Sequence, residues 1–363
     1  MTEHAKPCTW CDPAIAANSD SPRRVTGSAS RGPRKVTSVD VARHAGVSQT
    51  TVSLVLSGKG PGRVSAATAD TVRRAARELG YRPNAAARAL RSGTAAAVGL
   101  VVSDVTHPFF GRTLRGAQRA AWEAGHVVVL IDDNYGAAWG DGSVEALREG
   151  AIDGFLFFAA EPPPSLQRPG APPVVLIEGE QGRLPHARLD VEFGTDAALA
   201  HLHELGHRRI GYVRSAVGGP TFDRRRARWE SHLRAHGEDP GAQVVVSARF
   251  DAQSTIAAGR EVLAHPHRPT AVICDDDVLA AGLLAAAVRE GVDVPGELSV
   301  VGFDDLDLAL LSTPPLTTVH FDPEALGAAA FELLHARLQG RRPRSRVLPT
   351  SLTVRESTGP AAR

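Results

Sequence analysis

Apolar positions along this chain change rhythm once, near Ala97. Before it they recur at helical spacing in short bursts; after it they come as compact runs separated by longer helical stretches. In the first burst, "VTSVDVARHAGVS", Val41, Ala42 and Ala45 share one face. Thr37 stands where an N-cap belongs, and Asp40 three residues on favours the exposed amides and the positive helix end. Gly46 permits the turn, and Ser48 caps a second helix running from Gln49 to about Leu56. That helix turns Val52, Val55 and Leu56 inward and leaves Gln49, Thr50, Ser53 and Leu54 facing out. A third burst, "SAATADTVRRAARELGY", starts at Ser65, points Val72, Ala76 and Leu79 inward and stops at Gly80. Two helices this short cannot bury a core; the third closes a small all-α helix-turn-helix unit.

From Ala97 the pattern predicts strands alternating with helices. "AVGLVV" precedes a helix over 109–124, and "HVVVLI", "GFLFFA", "PVVLI", "RIGYV", "TAVIC" and "LSVVGF" follow. This alternation implies parallel sheets covered on both faces, and the length accommodates two such α/β halves. Ligands of open α/β sheets meet the carboxyl ends of the strands, here near residues 104, 159, 178, 214, 275 and 303. The segment 278–288, "VLAAGLLAAAV", is apolar all round. It is therefore expected to be buried on two sides, against its own sheet and against a partner subunit.

Charge separates the two regions. The 363 residues carry a formal net charge of +1, yet residues 31–93 hold 12 Lys and Arg against 3 Asp and Glu. A small basic unit tied to a large acidic one implies a polyanion partner for the first alone. Arg43, Lys59, Arg63, Arg73 and Arg74 surround the second helix, whose small polar side chains suit base edges in a major groove. No apolar run approaches the roughly 20 residues that span a bilayer. The N-terminal stretch lacks an apolar signal core, and three cysteines without an even framework fit a reducing compartment, so a cytoplasmic location is expected.

"VDVARHAGVSQTTVSLVLSG", "LGYRPNAAARALRSG" and "SVVGFDD" followed by "PPLTTV" together resemble the lactose-repressor family of bacterial transcription regulators, in order over roughly residues 36–355. The resemblance implies a sequence-specific repressor and four regions: a disordered tail over 1–33, a DNA-reading unit over 34–82, a hinge helix over 83–93, and a two-lobed periplasmic-binding-protein-like effector and dimerisation domain over 94–363. It extends the expected operator contacts to Thr37, Ser38, Ser48, Thr51, Ser65, Thr68 and Tyr81, and within the hinge to Asn84, Ala87, Leu90 and Arg91. Leu90 matches the position that wedges into the minor groove, where an apolar side chain can unstack a base step. Two departures bear on the operator sequence. Leu54 stands where the family often has Arg, and the "GKGPGRV" loop is longer than usual.

For the lobes, the resemblance implies a small-molecule effector closing the cleft. Arg225, with Trp229 four residues on, matches a donor to ligand oxygens, and Asp304 in "GFDD" the acceptor. Phe109, Phe110 and Phe250 match aromatic walls, and Thr221 a polar contact. Asp276 stands where the family usually has Asn, so the ligand is expected to present an extra donor there; neighbouring Asp277 is assigned to capping the following helix. Arg and Asp can together hold vicinal hydroxyls, which favours a sugar, with a nucleoside as the second choice. A homodimer is expected, with no heptad tail to pair dimers. His4, Cys8 and Cys11 have metal-like spacing, but a single C-x-x-C is a weak signal. "GKGPGR" lacks the ending of a phosphate-binding loop, and no catalytic grouping stands out. Neither a cofactor nor enzymatic activity is expected.

Overall fold

The computed structural model describes residues 36–56, 62–81, 96–132, 152–158 and 162–362. The expectations for the tail over 1–33, for the "GKGP" part of the long loop, and for Asn84, Ala87, Leu90 and Arg91 lie outside them. The chain divides into two compact units, one ending at Pro83 and the other beginning at Asn84.

The small unit consists of α1 (Ser38–Ala45), α2 (Gln49–Leu56) and α3 (Ala66–Glu78). A full capping box opens α1: Asp40 N–H donates to the Thr37 hydroxyl, and Thr37 N–H donates to the Asp40 carboxylate at 2.9 Å. Gly46 closes α1 at φ 64°, left-handed backbone that a glycine adopts without steric cost. Val41, Val52 and Val72, one from each helix, meet in a core completed by Val55, Ala42, Ala75 and Ala76. Polar ties fix the outside: Gln49 donates to Ser38 across the turn, and His44 meets Glu78 at 2.9 Å.

Among the described residues, the large unit holds two six-stranded sheets. The first contains β1 (Ala97–Val102), β2 (Val127–Asp132), β3 (Gly154–Phe158), β4 (Val174–Ile177), β5 (His186–Leu189) and, much later in the chain, β11 (Arg346–Leu348). Its order is β11-β5-β4-β3-β1-β2, parallel throughout. The second contains β6 (Ile210–Ser215), β7 (Val245–Ala248), β8 (Ala271–Cys274), β9 (Ser299–Phe303), β10 (Thr317–His320) and β12 (Ser351–Thr353). Its order is β12-β10-β9-β8-β6-β7, with only β12 antiparallel. The chain thus passes between sheets after β5, after β10 and between β11 and β12. β1, β3, β4, β8 and β9 are buried at every position, as strands covered on both faces must be.

Helices cover these sheets: α4 (Pro108–Glu123), α5 (Val191–Glu204), α6 (Pro220–Ala235), α7 (Ala252–Ala264), α8 (Asp277–Glu290), α9 (Asp307–Leu311) and α10 (Pro323–Leu338). α4 and α10 approach so closely that a Cβ on Gly327 would sit 1.9 Å from the Thr113 carbonyl oxygen. α8 contains the all-apolar segment, and its second face is covered differently from expectation. A Cβ on Gly282 would lie 2.3 Å from the Thr255 Cβ, and one on Gly259 2.7 Å from the Ala286 Cβ. Gly and Ala on both helices let α7 of the same chain pack directly on α8, so no partner subunit is needed to bury that face. Val288, at its end, is 71% exposed. Among the described residues no helix is long and apolar enough to cross a membrane.

Candidate effector cleft and DNA-reading face

The parallel strands aim their carboxyl ends at a common region between the two sheets, and the polar residues gather there. Asp104 and His107 follow β1, Glu178 follows β4, Asp275 and Asp276 follow β8, and Asp304 follows β9. Glu178 at φ 56° and Asp304 at φ 106° adopt backbone that non-glycine residues rarely hold, strain of the kind found at binding and catalytic sites.

Arg225 lies at the centre, projecting from the first half of α6 and only 5% exposed. Its guanidinium donates to the Asp275 carbonyl, lies 3.9 Å from the Asp304 carboxylate, and stacks 3.4 Å from the centroid of the Phe303 ring. Its Nε is buried without a hydrogen-bond partner, as is the Thr221 hydroxyl one turn before it. The structure therefore brings Arg225, Asp304 and Thr221 to one place, as the sequence implied. Trp229 is instead core: its indole donates to the Ile210 carbonyl, and its ring packs on Tyr212.

Asp276 has two tasks. One carboxylate oxygen accepts from Val278 N–H at 2.6 Å, and the other lies 3.1 Å from His107 Nε2 without hydrogen-bond alignment. The expectation that Asp277 caps α8 is corrected here. Asp276, extended at φ −162°, is the cap, whereas Asp277 is already helical. Asp277 is buried and accepts from Leu306 N–H and the Thr318 hydroxyl, which ties α8 to the turn after β9 and to β10.

The aromatic positions separate. Phe250 is half-buried with its ring 5.0 Å from that of His107, so it borders the cleft. Phe110 also touches His107, edge-on at 5.9 Å. Phe109 packs among Phe110, Phe158 and Phe321 in the core.

Burial dominates the protonation of this cluster. Burial, the Asp276 charge and a hydrogen bond to it all push the Asp304 carboxyl well above the usual range. Burial pushes Asp276 up as well, but His107 outweighs it and holds that carboxyl below its ordinary value. Burial pulls His107 down, yet Asp276 and the more distant Asp104 keep it raised. These directions favour charge on His107 and Asp276 and a proton on Asp304. Asp275, accepting from the Tyr212 hydroxyl at 2.5 Å and from Ser215 N–H at 2.8 Å, is pushed by burial to about 6. Donor atoms of His107, Asp276 and Asp304 lie within 4.8 Å of one another, close enough for a metal ion. The commitments of Asp276 to its cap and to His107 argue for organic donors in that space.

Sequence reasoning missed His107, Glu178 and Arg224. His107 hides in "HPFF" as the N-cap of α4, where its Nδ1 accepts from Phe109 N–H and leaves Nε2 to reach across to the second sheet. Glu178 accepts from Leu189 N–H at 2.5 Å and faces Arg224 at 3.5 Å, a second bridge between the halves. Burial raises its carboxyl above the ordinary value despite Leu189 and Arg224. A His before a helix-initiating Pro, and a Glu directly after an apolar strand, are the signals that could have found them.

On the small unit, Thr37, Ser48, Gln49, Thr50 and Ser65 are exposed, while Ser38, Thr51, Ser53, Leu54, Thr68 and Tyr81 are half-buried. Several of these hydroxyls are engaged locally. Ser48 accepts from Thr51 N–H, and Ser65 accepts from Thr68 N–H, so each caps a helix. Exposed Arg43, Arg63, Arg73 and Arg74 surround them.

Residues 38–84 match "Bacterial regulatory proteins, lacI family", and residues 199–358 match "Periplasmic binding protein-like domain". The HTH-type transcriptional repressor PurR of Photobacterium profundum is 30% identical over 88% of this chain and 97% of its own length. The chain belongs to the lacI family. It is a DNA-binding transcriptional regulator with a periplasmic-binding-protein-like domain, and the resemblance drawn from its motifs holds. A lac repressor dimer bound to operator and the anti-inducer ONPF superposes with a TM-score of 0.79 at 26% identity, covering 90% of this chain and all of that one. The complex of the transcriptional regulator CelR with cellobiose gives a TM-score of 0.66 at 30% identity, covering 89% of this chain and all of that one.

Proposed function

We propose that this lacI-family regulator is a homodimeric repressor that releases its operator when a carbohydrate occupies the cleft. Residues 34–82 read the DNA, residues 94–363 hold the sugar and the partner subunit, and residues 83–93 couple them. The observation that carries the sugar reading is the convergence of buried, unpartnered polar atoms, Arg225 Nε and the Thr221 hydroxyl, beside the Phe303 and Phe222 rings. A ring with hydroxyls along its edge and an apolar face matches that set. Arg225 donates and Asp276 accepts, and the upward shift of the Asp304 carboxyl favours a second donor there, so vicinal hydroxyls meet both kinds of partner. The binding of cellobiose by CelR, a protein of the same fold, supports this choice.

For the small unit, the reading assigns Gln49, Thr50, Ser53 and Leu54 to base edges. Thr37, Ser48 and Ser65, at helix N-termini, face phosphates, where amides and hydroxyls favour anions.

The test is a thermal-shift screen of the full chain against mono- and disaccharides and nucleosides, followed by calorimetry with the hit and operator binding by fluorescence anisotropy. A sugar should raise the melting temperature and lower operator affinity. Arg225→Ala and Asp304→Ala should each weaken sugar binding by about 1–3 kcal/mol while operator binding without sugar persists. A response to nucleosides alone, or undiminished sugar affinity in both variants, would overturn the reading.

A further inference from the structure

Three imidazoles gather away from the cleft, where the ends of α5 and α6 pack together. His203 lies in the last turn of α5, His232 in the last turn of α6, and His236 is the C-cap of α6. His232 and His236 are four residues apart, so one helical turn puts both on the same face. The ring centroids lie 4.7 Å apart for His203 and His232, 4.2 Å for His203 and His236, and 4.3 Å for His232 and His236. One ring nitrogen from each lies within 4.8 Å of those of the other two. We propose that His203, His232 and His236 form a binding site for a divalent transition metal ion of the zinc type.

The surrounding hydrogen bonds favour this assignment. His203 Nδ1 and His232 Nε2 face each other at 3.0 Å, and the same Nδ1 lies 3.3 Å from the Leu199 carbonyl, a contact that an ion would replace. Two nitrogens on one tetrahedral ion, each bonded at about 2.0–2.1 Å, sit about 3.3 Å apart, so the pair needs only a slight opening. The other nitrogen of His203, Nε2, lies 3.2 Å from the Glu238 carboxylate, and His236 Nδ1 lies 2.8 Å from the His232 carbonyl. Carboxylate and carbonyl partners of this kind fix the tautomer and orientation of metal-bound imidazoles. They leave Nε2 of His236 for the ion.

The His203 and Glu238 side chains are only 8% and 11% exposed, while His236 is exposed, so the ion would be gripped on one side and open to solvent on the other. Three imidazoles select zinc, nickel or copper over magnesium or calcium. The ion would join the ends of α5 and α6 and stabilise the second lobe.

The test uses untagged full-length protein in a Cys8→Ser, Cys11→Ser background, because His4, Cys8 and Cys11 are donors in their own right. Cobalt chloride serves as the spectroscopic probe and zinc chloride as the competitor. The expected result is one equivalent of cobalt with visible d–d absorption, displaced by zinc, and a melting temperature raised by either ion. His232→Gln combined with His236→Gln should weaken binding by at least about 100-fold, and Glu238→Gln by about 10-fold. Should the double variant fail to fold, Glu238→Gln carries the test, with circular dichroism confirming its fold. Unchanged cobalt affinity in these variants would overturn the proposal. So would loss of binding in His107→Gln with retention in the histidine double variant, which would move the ion into the cleft.

Discussion

The two units handle polarity in opposite ways. In the small unit, the buried core is limited to four valines and a few alanines, and the polar side chains stay at the surface as helix caps and exposed basic groups. In the large unit, Arg225, Asp275, Asp276, Asp277 and Asp304 are each buried beyond 90% and pair with one another or with backbone. The difference follows from what each must hold. A DNA duplex is larger than the unit that reads it, so its partners must wait in water, where each contact is weak and salt-sensitive. A small molecule can be surrounded, so its partners sit in low dielectric, where each contact is strong and each unpaired group costly.

The hardest way to break this contrast is to place a charge in the small core. Val52 is 1% exposed and packs in the apolar cluster with Val41 and Val72. Val52→Asp would bury an unpaired carboxylate in a unit too small to have stability to spare. Operator binding should be lost completely in an anisotropy assay, whereas the large unit should keep its melting transition and its ligand-dependent shift. Loss of the second transition as well would mean that the two units do not fold independently.

The same contrast explains what was legible beforehand. Helix starts at Thr37, Ser48 and Ser65 are written locally, because a cap and its partner lie three residues apart, and the structure has each of them. The strand ends facing the cleft were legible too, since a buried parallel strand is an uninterrupted apolar run. The pairings across the cleft were not. His107 meets Asp276 and Glu178 meets Arg224 only because the chain passes between sheets, and no local pattern encodes such a distance in sequence. The capping role went to the wrong aspartate, because "CDDDV" offers three candidates and only backbone geometry separates them. The second face of α8 was assigned to a partner because the matching glycine, Gly259, lies on a helix read without regard to its small residues.

A subtler perturbation tests the buried charges of the large unit. Asp275 titrates at about 6 in the folded chain against an ordinary value of 3.8. The folded state therefore holds more protons between those values, and this group's contribution to stability falls as pH rises through that window. His232 acts in the opposite sense. Lowered from 6.5 to about 4, it binds fewer protons when folded, so stability rises with pH across its own window. Asp275→Asn keeps an acceptor for the Tyr212 hydroxyl but removes the titration, leaving the rising slope of His232. Relative to wild type, the variant should gain about 1 kcal/mol on going from about pH 5 to about pH 7.5, measured by urea unfolding. An unchanged difference between variant and wild type at the two pH values would show that Asp275 ionises normally in its buried place.

The mildest test returns to the small unit, where one hydroxyl is assigned two roles. Thr37 accepts from Asp40 N–H, and its own hydroxyl donates to the Asp40 carboxylate at 2.7 Å, so it completes the capping box of α1. It is also exposed at a helix N-terminus, the position assigned to a phosphate of the operator. Thr37→Ala should cost about 1 kcal/mol through the cap, which lowers the melting temperature of so small a unit by roughly 4–8 °C. A loss of that size leaves most molecules folded at room temperature, so the cap alone should hardly change operator affinity. The phosphate contact adds a second loss, and affinity should fall several-fold. Thr37→Ser restores the hydroxyl and should recover both quantities, while Thr37→Val, similar in shape but without the hydroxyl, should recover neither. If alanine lowers the melting temperature but leaves affinity unchanged, Thr37 serves only the helix, and the phosphate contact at the start of α1 falls to the backbone amides alone.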